Sequence, residues 1–383
     1  MPYRLLHISD VHLERAFAGM GCSGELARRR RLGLRSALRR AGEAAREARC
    51  DAITIGGDLY EHDRASPATG AFLAELFATW QPMRVFLAPG NHDPLIPGSL
   101  YATTEWPANV HLFQEERLQP VELTDGLTLW GLAHRDPRWQ GDPLECETTP
   151  ADGVHIALFH GAEIGSRPDG KAMHGPFRAA DIRRRGFAAA LCGHYHRRHW
   201  YDDTGLLYPG TPEPLAFDED GRRGPALVDI GDAGDIAVTQ LDLNAWMATS
   251  LSADLTGVAT LEATIDTLVA IIMVAIADAD AQRSLVRIDL TGEVASGLAL
   301  DAYTLETALR EETGLAVVRI RDDTRADIAA SSIAEERTAR GAFARELLAA
   351  IGEADGDPDE VALLGDALRY GLEAFAGVEV GLR

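Results

Sequence analysis

Five short segments carry side chains that can bind metal ions, and each follows an apolar run that predicts a buried β-strand. The runs cover residues 3–8, 52–55, 84–88, 155–159 and 188–191. The polar segments at their ends are Asp10-Val11-His12, Gly57-Asp58, Gly90-Asn91-His92-Asp93, Phe159-His160-Gly161 and Gly193-His194-Tyr195-His196. Five such strand ends, side by side in one sheet, would bring these side chains together, so we expect them to converge at one rim.

The converging side chains would supply enough oxygen and nitrogen atoms for two divalent cations, with Asp58 bridging them. Two such ions about 3.5–4 Å apart form a clamp that suits in-line displacement at phosphate. Each segment also has an ordinary structural explanation. Asp10 could cap a strand end, Gly90 and Asn91 could form a tight turn, and His194 and His196 could be surface loop residues. Five segments in order, each behind a predicted strand, favour the shared metal site.

Length and composition predict a two-domain protein without membrane association. The chain has 383 residues, of which 46% are hydrophobic, enough for a large core. Its first residues lead directly into a ligand-bearing strand, so we expect no signal peptide. The longest apolar run covers residues 268–277, too short to span a bilayer. The four cysteines lack CxxC spacing and are expected to be free thiols in the cytoplasm: Cys22, Cys50, Cys146 and Cys192.

The net charge of −22 is concentrated in the C-terminal part of the chain. Residues 1–230 carry 26 basic and 31 acidic side chains, a balance of −5, whereas residues 231–383 carry 11 and 28, a balance of −17. Bound cations would offset acidic groups in the first part. The second part is poorly suited to contact a polyanion over a broad face and could face a basic partner.

The other elements predict an α/β protein in which helices flank a β-sandwich. Helices are expected over residues 24–49 and 67–80, and further strands over residues 110–112, 121–123, 127–132, 154–159, 187–191, 206–208, 225–230 and 236–240. A composition shift near residues 241–253 predicts a boundary between a domain of residues 1–242 and a smaller α/β domain of residues 243–328, which C-terminal helices follow over residues 329–383. The smaller domain should contain helices 260–277 and 305–312 and strands 284–290 and 316–320, and the C-terminal helices should cover residues 333–351 and 359–375.

The five polar segments resemble the pattern DxH, GD, GNH(D/E), H, GHxH of the calcineurin-like metallophosphoesterases. Within that group the segments Leu6-His7-Ile8-Ser9-Asp10-Val11-His12-Leu13 and Gly57-Asp58-Leu59-Tyr60 are most similar to the SbcD-type DNA repair exonucleases, the nuclease subunits of double-strand-break repair complexes. Residues 335–341 are similar to the bacterial branch, although the strong resemblance covers residues 3–217. The resemblance implies a metallophosphoesterase β-sandwich flanked by helices, a smaller α/β capping domain and C-terminal helices.

The resemblance also implies a Mn²⁺-dependent DNA phosphodiesterase, an exonuclease or endonuclease that acts in DNA repair. It implies a homodimer that works with an SMC-like (SbcC-type) ATPase. Fe²⁺, Zn²⁺ or Mg²⁺ could replace Mn²⁺, and oxygen with imidazole ligands suits Mn²⁺, Fe²⁺ or Zn²⁺ better than Ca²⁺. Residues 329–383 are candidates for docking the ATPase, although packing within the chain explains their apolar residues equally well.

A mechanism can be assigned residue by residue as a hypothesis. One metal would be held by Asp10, His12, Asp58 and His196, and the other by Asp58, Asn91, His160 and His194. A hydroxide between the two metals would be the nucleophile. His92 would protonate the leaving oxygen or stabilise charge on the phosphate. Asp93 would orient His92, or be a turn residue before Pro94.

Substrate contacts are predicted at His62, Arg197 and Arg198. Many relatives have a histidine after the aromatic residue of the second segment, where this chain has Glu61 followed by His62. His62 could take that place or be an exposed loop residue. Arg197 and Arg198 directly follow the last histidine segment, which favours them as phosphate contacts over the arginines of helix 24–49.

Two other functions use the same residues differently. A small-molecule or cyclic-nucleotide phosphodiesterase would use the same metals in a closed pocket. A non-catalytic scaffold would normally have lost ligands, and all seven are present.

Overall fold

The computed structural model describes residues 3–145, 152–166, 172–276, 279–295, 298–354 and 357–377. They form two compact units. The first takes its described residues from 1–250, 276–287 and 314–319, and the second from 251–275, 288–313 and 320–383. The domain boundaries expected at residues 242 and 328 stay a prediction.

Two six-stranded mixed sheets form the framework of the first unit. The first sheet contains β1 (Tyr3–Ile8), β2 (Ala52–Ile55), β3 (Arg84–Leu87), β4 (Val110–Leu112), β11 (Ala226–Ile230) and β12 (Ile236–Gln240). The second sheet contains β5 (Gln119–Thr124), β6 (Leu127–Gly131), β7 (Val154–His160), β8 (Ala189–Gly193), β9 (His199–Tyr201) and β10 (Leu206–Tyr208). The strand orders are β12-β11-β1-β2-β3-β4 and β5-β6-β7-β8-β10-β9. The predicted α/β fold is confirmed.

Apolar side chains on alternate faces of the strands bury both sides of the first sheet. In β1, Leu5 belongs to the core that it shares with Leu129 and Ile156 of the second sheet. Leu6 and Ile8 belong instead to the core on the helical side. Successive side chains of a strand point to opposite faces, so the alternation assembles a sandwich covered by helices.

Parallel pairing brings the carboxyl ends of the strands to common edges. β1 pairs with β2, and β2 with β3, all parallel and in register. In the second sheet β7 and β8 are parallel, and His160 pairs with Gly193. The residues that follow these strands therefore leave each sheet at the same edge.

Four helices accompany these sheets: α1 (Gly24–Glu47), α2 (Pro67–Thr79), α3 (Leu100–Thr103) and α4 (Ala180–Arg184). Residues 24–49 were expected to be one helix, but α1 ends at Glu47. Arg49 has a left-handed φ of 55°, which does not continue a right-handed helix.

Cys22, Cys50 and Cys192 are buried free thiols, whereas Cys146 lies outside the described residues.

The rest of the described chain adds a small sheet, a pair of short strands and five helices. The sheet has the order β13 (Met247–Asp254), β14 (Ser284–Thr291) and β16 (Val317–Asp322), and β15 (Glu293–Val294) pairs with β17 (Arg325–Ala326). The helices are α5 (Leu261–Ala275), α6 (Ala302–Thr313), α7 (Ala330–Ala334), α8 (Ala339–Glu353) and α9 (Pro358–Phe375). Across the described part of the chain, the helices all lack the combination of length and apolarity that crossing a membrane requires.

Two local predictions were wrong. The predicted helix 333–351 is broken into α7 and α8, because Thr338 caps α8 by accepting a hydrogen bond from the Gly341 N–H. Strand β8 lies two residues later than residues 187–191, so His194 comes directly after its last residue.

Candidate metal centre

The structure brings all seven predicted metal ligands together at the ends of five strands. These strands belong to two sheets, not to the one sheet that was expected. β1 leads to Asp10 and His12, β2 to Asp58, and β3 to Asn91. His160 is the last residue of β7, and His194 and His196 follow β8. Three groups of side chains place ligand atoms within 4.8 Å of one another: Asp10, His12 and His196; Asp10, Asp58 and His160; and His12 with Glu61 and His92.

The backbone turns sharply where it presents these side chains. Asp10, His12 and Asp58 have φ values of 53°, 49° and 52°, and His194 has a φ of 113°. Positive φ is uncommon outside glycine and costs free energy, so it persists only where the surroundings impose it. Here the Asp10 N–H donates to the carbonyl of Gly57 at 3.0 Å, and the His12 N–H donates to that of Asp58 at 2.9 Å. These hydrogen bonds connect the two turns.

Asp58 lies between imidazoles from both sheets. Its Oδ2 is 3.5 Å from Nε2 of His12 and 3.3 Å from Nε2 of His160. Its Oδ1 accepts the backbone N–H of His92 at 2.9 Å. Burial alone would raise the pKa of Asp58, but His160 and His12 hold that pKa well below its usual value. Asp58 is therefore a buried carboxylate whose second oxygen faces two nitrogen ligands.

Because Gly90 has no side chain, the Asp58 carboxylate can occupy the space beside it. A Cβ atom at Gly90 would overlap Oδ1 of Asp58 and would lie 2.9 Å from Cγ of His160. Both approaches are closer than van der Waals contact, so a larger residue would displace the two ligands.

The first half of the centre is formed by Asp10, His12 and His196. The Asp10 carboxylate accepts hydrogen bonds from the Ser9 hydroxyl and, at 3.0 Å, from the His194 N–H. Nδ1 of His12 lies 3.0 Å from Oε1 of Glu61, and Nδ1 of His196 lies 2.7 Å from Oε1 of Glu219. An imidazole that donates through Nδ1 keeps a free electron pair on Nε2.

The surroundings of the unpaired Nε2 atom of His12 show whether a cation fits in the first half of the centre. That atom is buried and lacks a hydrogen-bond partner among the described residues. Nε2 of His196 also points inward and lies 3.9 Å from Oδ1 of Asp10. Buried polar atoms are normally paired, so a nitrogen electron pair among carboxylate oxygens fits a divalent cation.

The second half is formed by Asn91, His160 and His194. Oδ1 of Asn91 lies 3.0 Å from Nε2 of His160 and 3.2 Å from Nδ1 of His194, and these two nitrogens are 3.2 Å apart. Their other ring nitrogens face backbone carbonyls, Gly56 at 2.9 Å for His160 and Ala172 at 3.3 Å for His194. When each neutral ring donates to its backbone carbonyl, Nε2 of His160 and Nδ1 of His194 carry free electron pairs beside Oδ1 of Asn91, as a cation requires.

The charge distribution favours positive charge at the same point. Burial lowers the pKa of His160, but the negative charge of Asp58 outweighs it and raises that pKa to about 9. Burial and the neighbouring His160 lower the pKa of His194 well below its usual value. A site that attracts a proton beside Asp58 would also attract a metal ion.

Glu61, rather than Asp93, contacts the imidazole of His92. Nδ1 of His92 lies 2.9 Å from Oε2 of Glu61. The buried Asp93 carboxylate instead accepts the N–H groups of Gly90, Asp58 and Leu59 and the Tyr101 hydroxyl. Asp93 thus stabilises the two turns that carry ligands, which corrects the expectation that it orients His92.

Sequence reasoning missed the partners of the histidines. Glu61 follows Asp58 by three residues, and its place after an aromatic residue was a usable signal. Glu219 is 23 residues beyond His196 in a segment without a motif. It also accepts hydrogen bonds from the Thr211 hydroxyl and the Leu215 N–H, so its position depends on the fold of its loop.

The predicted substrate contacts lie near the centre but differ in their surroundings. A cleft of about 760 Å³ beside His194 and His196 is lined by Arg197 and Arg198. Arg197 is exposed, whereas Arg198 donates to Asp242 at 2.7 Å and to the carbonyl of Leu241. The half-buried His62 donates its backbone N–H to the carbonyl of His92 at 3.0 Å.

Comparison with known proteins identifies the family. Residues 3–198, more than half of the chain, match the calcineurin-like phosphoesterase family. The chain belongs to that family. This confirms the resemblance drawn from the five segments, and the family's use of divalent metals agrees with the donor set described above. The protein is therefore a metallophosphoesterase, that is, a metal-dependent hydrolase.

Two individual proteins are similar to this phosphoesterase. It is 28% identical over 262 residues to the DNA double-strand break repair protein Mre11 of Methanopyrus kandleri, a match that covers 60% of this chain. The chain spans about half the length of that relative, 55%. The crystal structure of TT1561 of Thermus thermophilus is 13% identical with a TM-score of 0.36, and the match covers 63% of this chain and 99% of that one.

Proposed function

We propose that this phosphoesterase is a two-metal phosphodiesterase that cleaves DNA during DNA repair. The observation that carries the proposal is the position of Oδ2 of Asp58 between Nε2 of His12 and Nε2 of His160. One carboxylate oxygen that faces nitrogen donors on two sides is the arrangement that a bridged pair of cations needs.

Asp10, His12, Asp58 and His196 would hold one cation, and Asp58, Asn91, His160 and His194 would hold the other. When bound, two such cations supply Lewis-acid activation of water and neutralise phosphate charge. Mn²⁺ is the proposed metal because the resemblance to the SbcD-type exonucleases implies it; the donors, carboxylate and amide oxygens with imidazole nitrogens, suit Fe²⁺ or Zn²⁺ as well.

His92 is proposed to act on the leaving oxygen. Its side chain is 41% exposed, and its Nδ1 is engaged by Glu61, so Nε2 is the atom available to a substrate. Burial lowers the pKa of His92, but the hydrogen bond to Glu61 and the charge of Asp58 raise that pKa to about 9. A protonated imidazole at neutral pH can donate to a phosphate or leaving oxygen. Asp93 would contribute indirectly, through the turns that it stabilises.

DNA is the proposed substrate because the curated relative is a DNA double-strand break repair protein and because the cleft beside the centre contains arginines. Arg15, Arg197 and Arg222 line this cleft and could contact phosphates. His62 and Arg198 remain proposed contacts.

A small-molecule phosphodiesterase is the second candidate function. The cleft volume of about 760 Å³ lies within the range of ordinary ligand sites. Asp218 and Asp220 also line it, which favours a compact phosphodiester over a long polyanion.

A homodimer, an SMC-like ATPase and a cytoplasmic location are also proposed. Within α8 and α9, Ala344, Leu368 and Leu372 are buried, whereas Leu363 and Phe375 are 69% and 51% exposed. The buried side chains support packing within the chain, and the exposed ones support a docking face. The free thiols of Cys22, Cys50 and Cys192 support a reducing compartment.

Degradation of end-labelled linear DNA with Mn²⁺ tests the proposal. We expect shortening by the native protein and by Asp125→Ala, a control at an exposed turn, but not by Asp58→Ala. Bis(p-nitrophenyl) phosphate and cyclic nucleotides serve as second substrates. Cleavage of these substrates without any cleavage of DNA would contradict the nuclease assignment and favour the second candidate.

A further inference from the structure

His134 is a buried histidine beside the second half of the candidate metal centre. It follows the last residue of β6 by three positions and is shielded from solvent. Its Nε2 lies 2.7 Å from the backbone carbonyl oxygen of His160. Because a carbonyl oxygen can only accept, Nε2 carries the proton and donates it to this bond. Burial and the neighbouring His160 lower the pKa of His134 to about 3, so the ring is neutral and holds a single proton.

The backbone of His134 holds both ends of the loop that carries Asn91. The His134 N–H donates to the carbonyl of Pro89 at 3.0 Å, and the His134 carbonyl accepts the Leu95 N–H at 2.8 Å. This loop follows β3 of the first sheet, whereas His160 is the last residue of β7 in the second sheet. His134 therefore contacts two elements, one from each sheet, whose candidate ligands face each other.

We infer that His134 is a positioning residue that holds the end of β7 against the loop at residues 89–95 and so sets the distance between His160 and Asn91. The inference rests on the proposed function, which assigns these two ligands to one cation. Oδ1 of Asn91 lies 3.0 Å from Nε2 of His160. Without a donor at position 134, the His160 carbonyl would lose a buried hydrogen bond, and the side-chain link between the two elements would be lost with it.

Trp139 fixes the His134 ring and connects it to the third ligand of the second half. The two rings pack with centroids 4.9 Å apart and planes at 64°. The Trp139 carbonyl accepts the Gly175 N–H at 3.1 Å. Three residues before Gly175, the carbonyl of Ala172 faces Nε2 of His194 at 3.3 Å. The segment that begins at His134 thus contacts the supports of all three imidazole and amide ligands of this half.

The second ring nitrogen of His134 allows a different role. Nδ1 is buried and lacks a hydrogen-bond partner among the described residues, so it could itself hold a cation or an ordered water molecule. Within the described part of the chain, the three groups of potential metal ligands do not include His134. The positioning role uses Nε2 for the side-chain contact, and substitutions that all remove Nδ1 separate the two roles.

Two substitutions distinguish the Nε2 donor from the bulk of the ring. Phenylalanine keeps a planar ring without a donor, whereas the side-chain NH₂ group of glutamine ends close to the place of Nε2 in histidine. Both residues lack a nitrogen in the place of Nδ1. His134→Phe should therefore loosen the second half, and His134→Gln should restore it. A role through Nδ1 would make the two variants alike.

Calorimetric titration with Mn²⁺ tests the inference in backgrounds that each keep one half. His196→Ala removes a ligand of the first half, and in this background His134→Phe should raise the dissociation constant of the remaining cation by about 10–100-fold. His194→Ala removes a ligand of the second half, and there the same substitution should change the constant by less than about threefold. His134→Gln should recover most of the affinity in the His196→Ala background.

Two control variants accompany the titration. His111→Phe makes the same exchange at a partly buried histidine of β4, and Glu75→Gln changes an exposed position of α2. Both should leave the dissociation constant of each background unchanged. Equal increases of the constant in the two backgrounds would overturn the inference, because a general loss of stability acts on both halves. Equal losses of affinity in His134→Phe and His134→Gln would also overturn it.

Crystal structures of the metal-free native protein and of both His134 variants provide a readout that depends on neither metal nor activity. The distance from Oδ1 of Asn91 to Nε2 of His160 should increase by more than about 0.5 Å in His134→Phe and stay near its native value in His134→Gln. An unchanged distance in His134→Phe would contradict the positioning role. If His134→Phe does not fold, His134→Asn takes its place, because its shorter amide does not reach the His160 carbonyl.

Failure of the proposed function gives a different result. A native protein that binds two cations but cleaves neither DNA nor bis(p-nitrophenyl) phosphate would contradict the proposed function, and the metal titration and the metal-free distances would still decide the role of His134.

Discussion

The two halves of the candidate metal centre orient their imidazoles with different groups. In the first half, carboxylates do so: Glu61 contacts Nδ1 of His12, and Glu219 contacts Nδ1 of His196. In the second half, the backbone does so: the carbonyls of Gly56 and Ala172 face His160 and His194. Both arrangements leave one nitrogen of each ring directed into the centre.

The two halves differ in the charge of the groups that contact the imidazoles, and not in the way in which those groups direct the rings. A carboxylate partner adds negative charge and raises the basicity of the imidazole, whereas a carbonyl partner fixes the ring with a dipole alone. The first half also contains Asp10, where the second half has the neutral amide of Asn91. We therefore expect the first half to bind its cation more tightly, and only that half to respond to substitution of a ring partner.

Asp58→Asn should have the largest effect, because this residue belongs to both halves. The neutral amide keeps the shape, and asparagine tolerates the left-handed φ of 52° at this position. We expect loss of both cations and catalysis at the background rate, measured by elemental analysis and nitrophenyl diester cleavage. Asp125→Asn is the surface control, and retention of one tightly bound cation would show that Asp58 serves a single half.

His92→Ala should leave both halves intact and still slow the reaction. Removal of a general acid typically lowers a rate by about 10²–10⁴-fold. We expect a loss of kcat in that range with two cations retained, since the side chain contacts Glu61 and is not a proposed ligand. A lost cation in this variant would indicate that His92 binds metal.

Glu219→Gln should affect the first half alone. Substitution of the group that orients a ligating histidine typically costs about 10–100-fold in metal affinity. Calorimetric titration of metal-free protein should show one of two dissociation constants increased by that factor, with the other unchanged. If both constants increase together, the halves are coupled and the comparison fails. Glu75→Gln should change neither.

Gly90→Ala tests the packing between the two halves through its effect on the free energy of unfolding. The added methyl group would overlap Oδ1 of Asp58 and would lie 2.9 Å from Cγ of His160. Overpacking of this kind typically costs about 1–3 kcal/mol of unfolding free energy. Denaturant unfolding should detect it, because the displaced groups are buried.

Gly365→Ala is the matched control for that measurement. Gly365 lies in α9, and a Cβ atom there would have no neighbour within 4 Å among the described residues. Alanine in an open helix should raise stability by about 0.5–1 kcal/mol. Similar changes at both positions would mean that Gly90 is not constrained by the two ligands.

The sequence allowed much of the fold to be predicted where local pattern and burial coincide. Strands 110–112, 206–208 and 236–240 agree with β4, β10 and β12, because short apolar runs bounded by turn residues mark strands well. Prediction failed at residues 333–351, where apolar spacing continues through a break. The Thr338 cap, rather than hydrophobic periodicity, decides where α8 begins.

The sequence by itself determined the chemical types of the seven candidate ligands and their place after predicted strands. These features depend on neighbouring residues and on alternation of side chains along a strand. Only the tertiary structure decided which group orients each imidazole. Glu61 contacts His12 across 49 positions and Glu219 contacts His196 across 23, while Asp93 binds the turn at Asp58 across 35. Such pairings depend on strand register and loop path, and no local pattern of side chains encodes them.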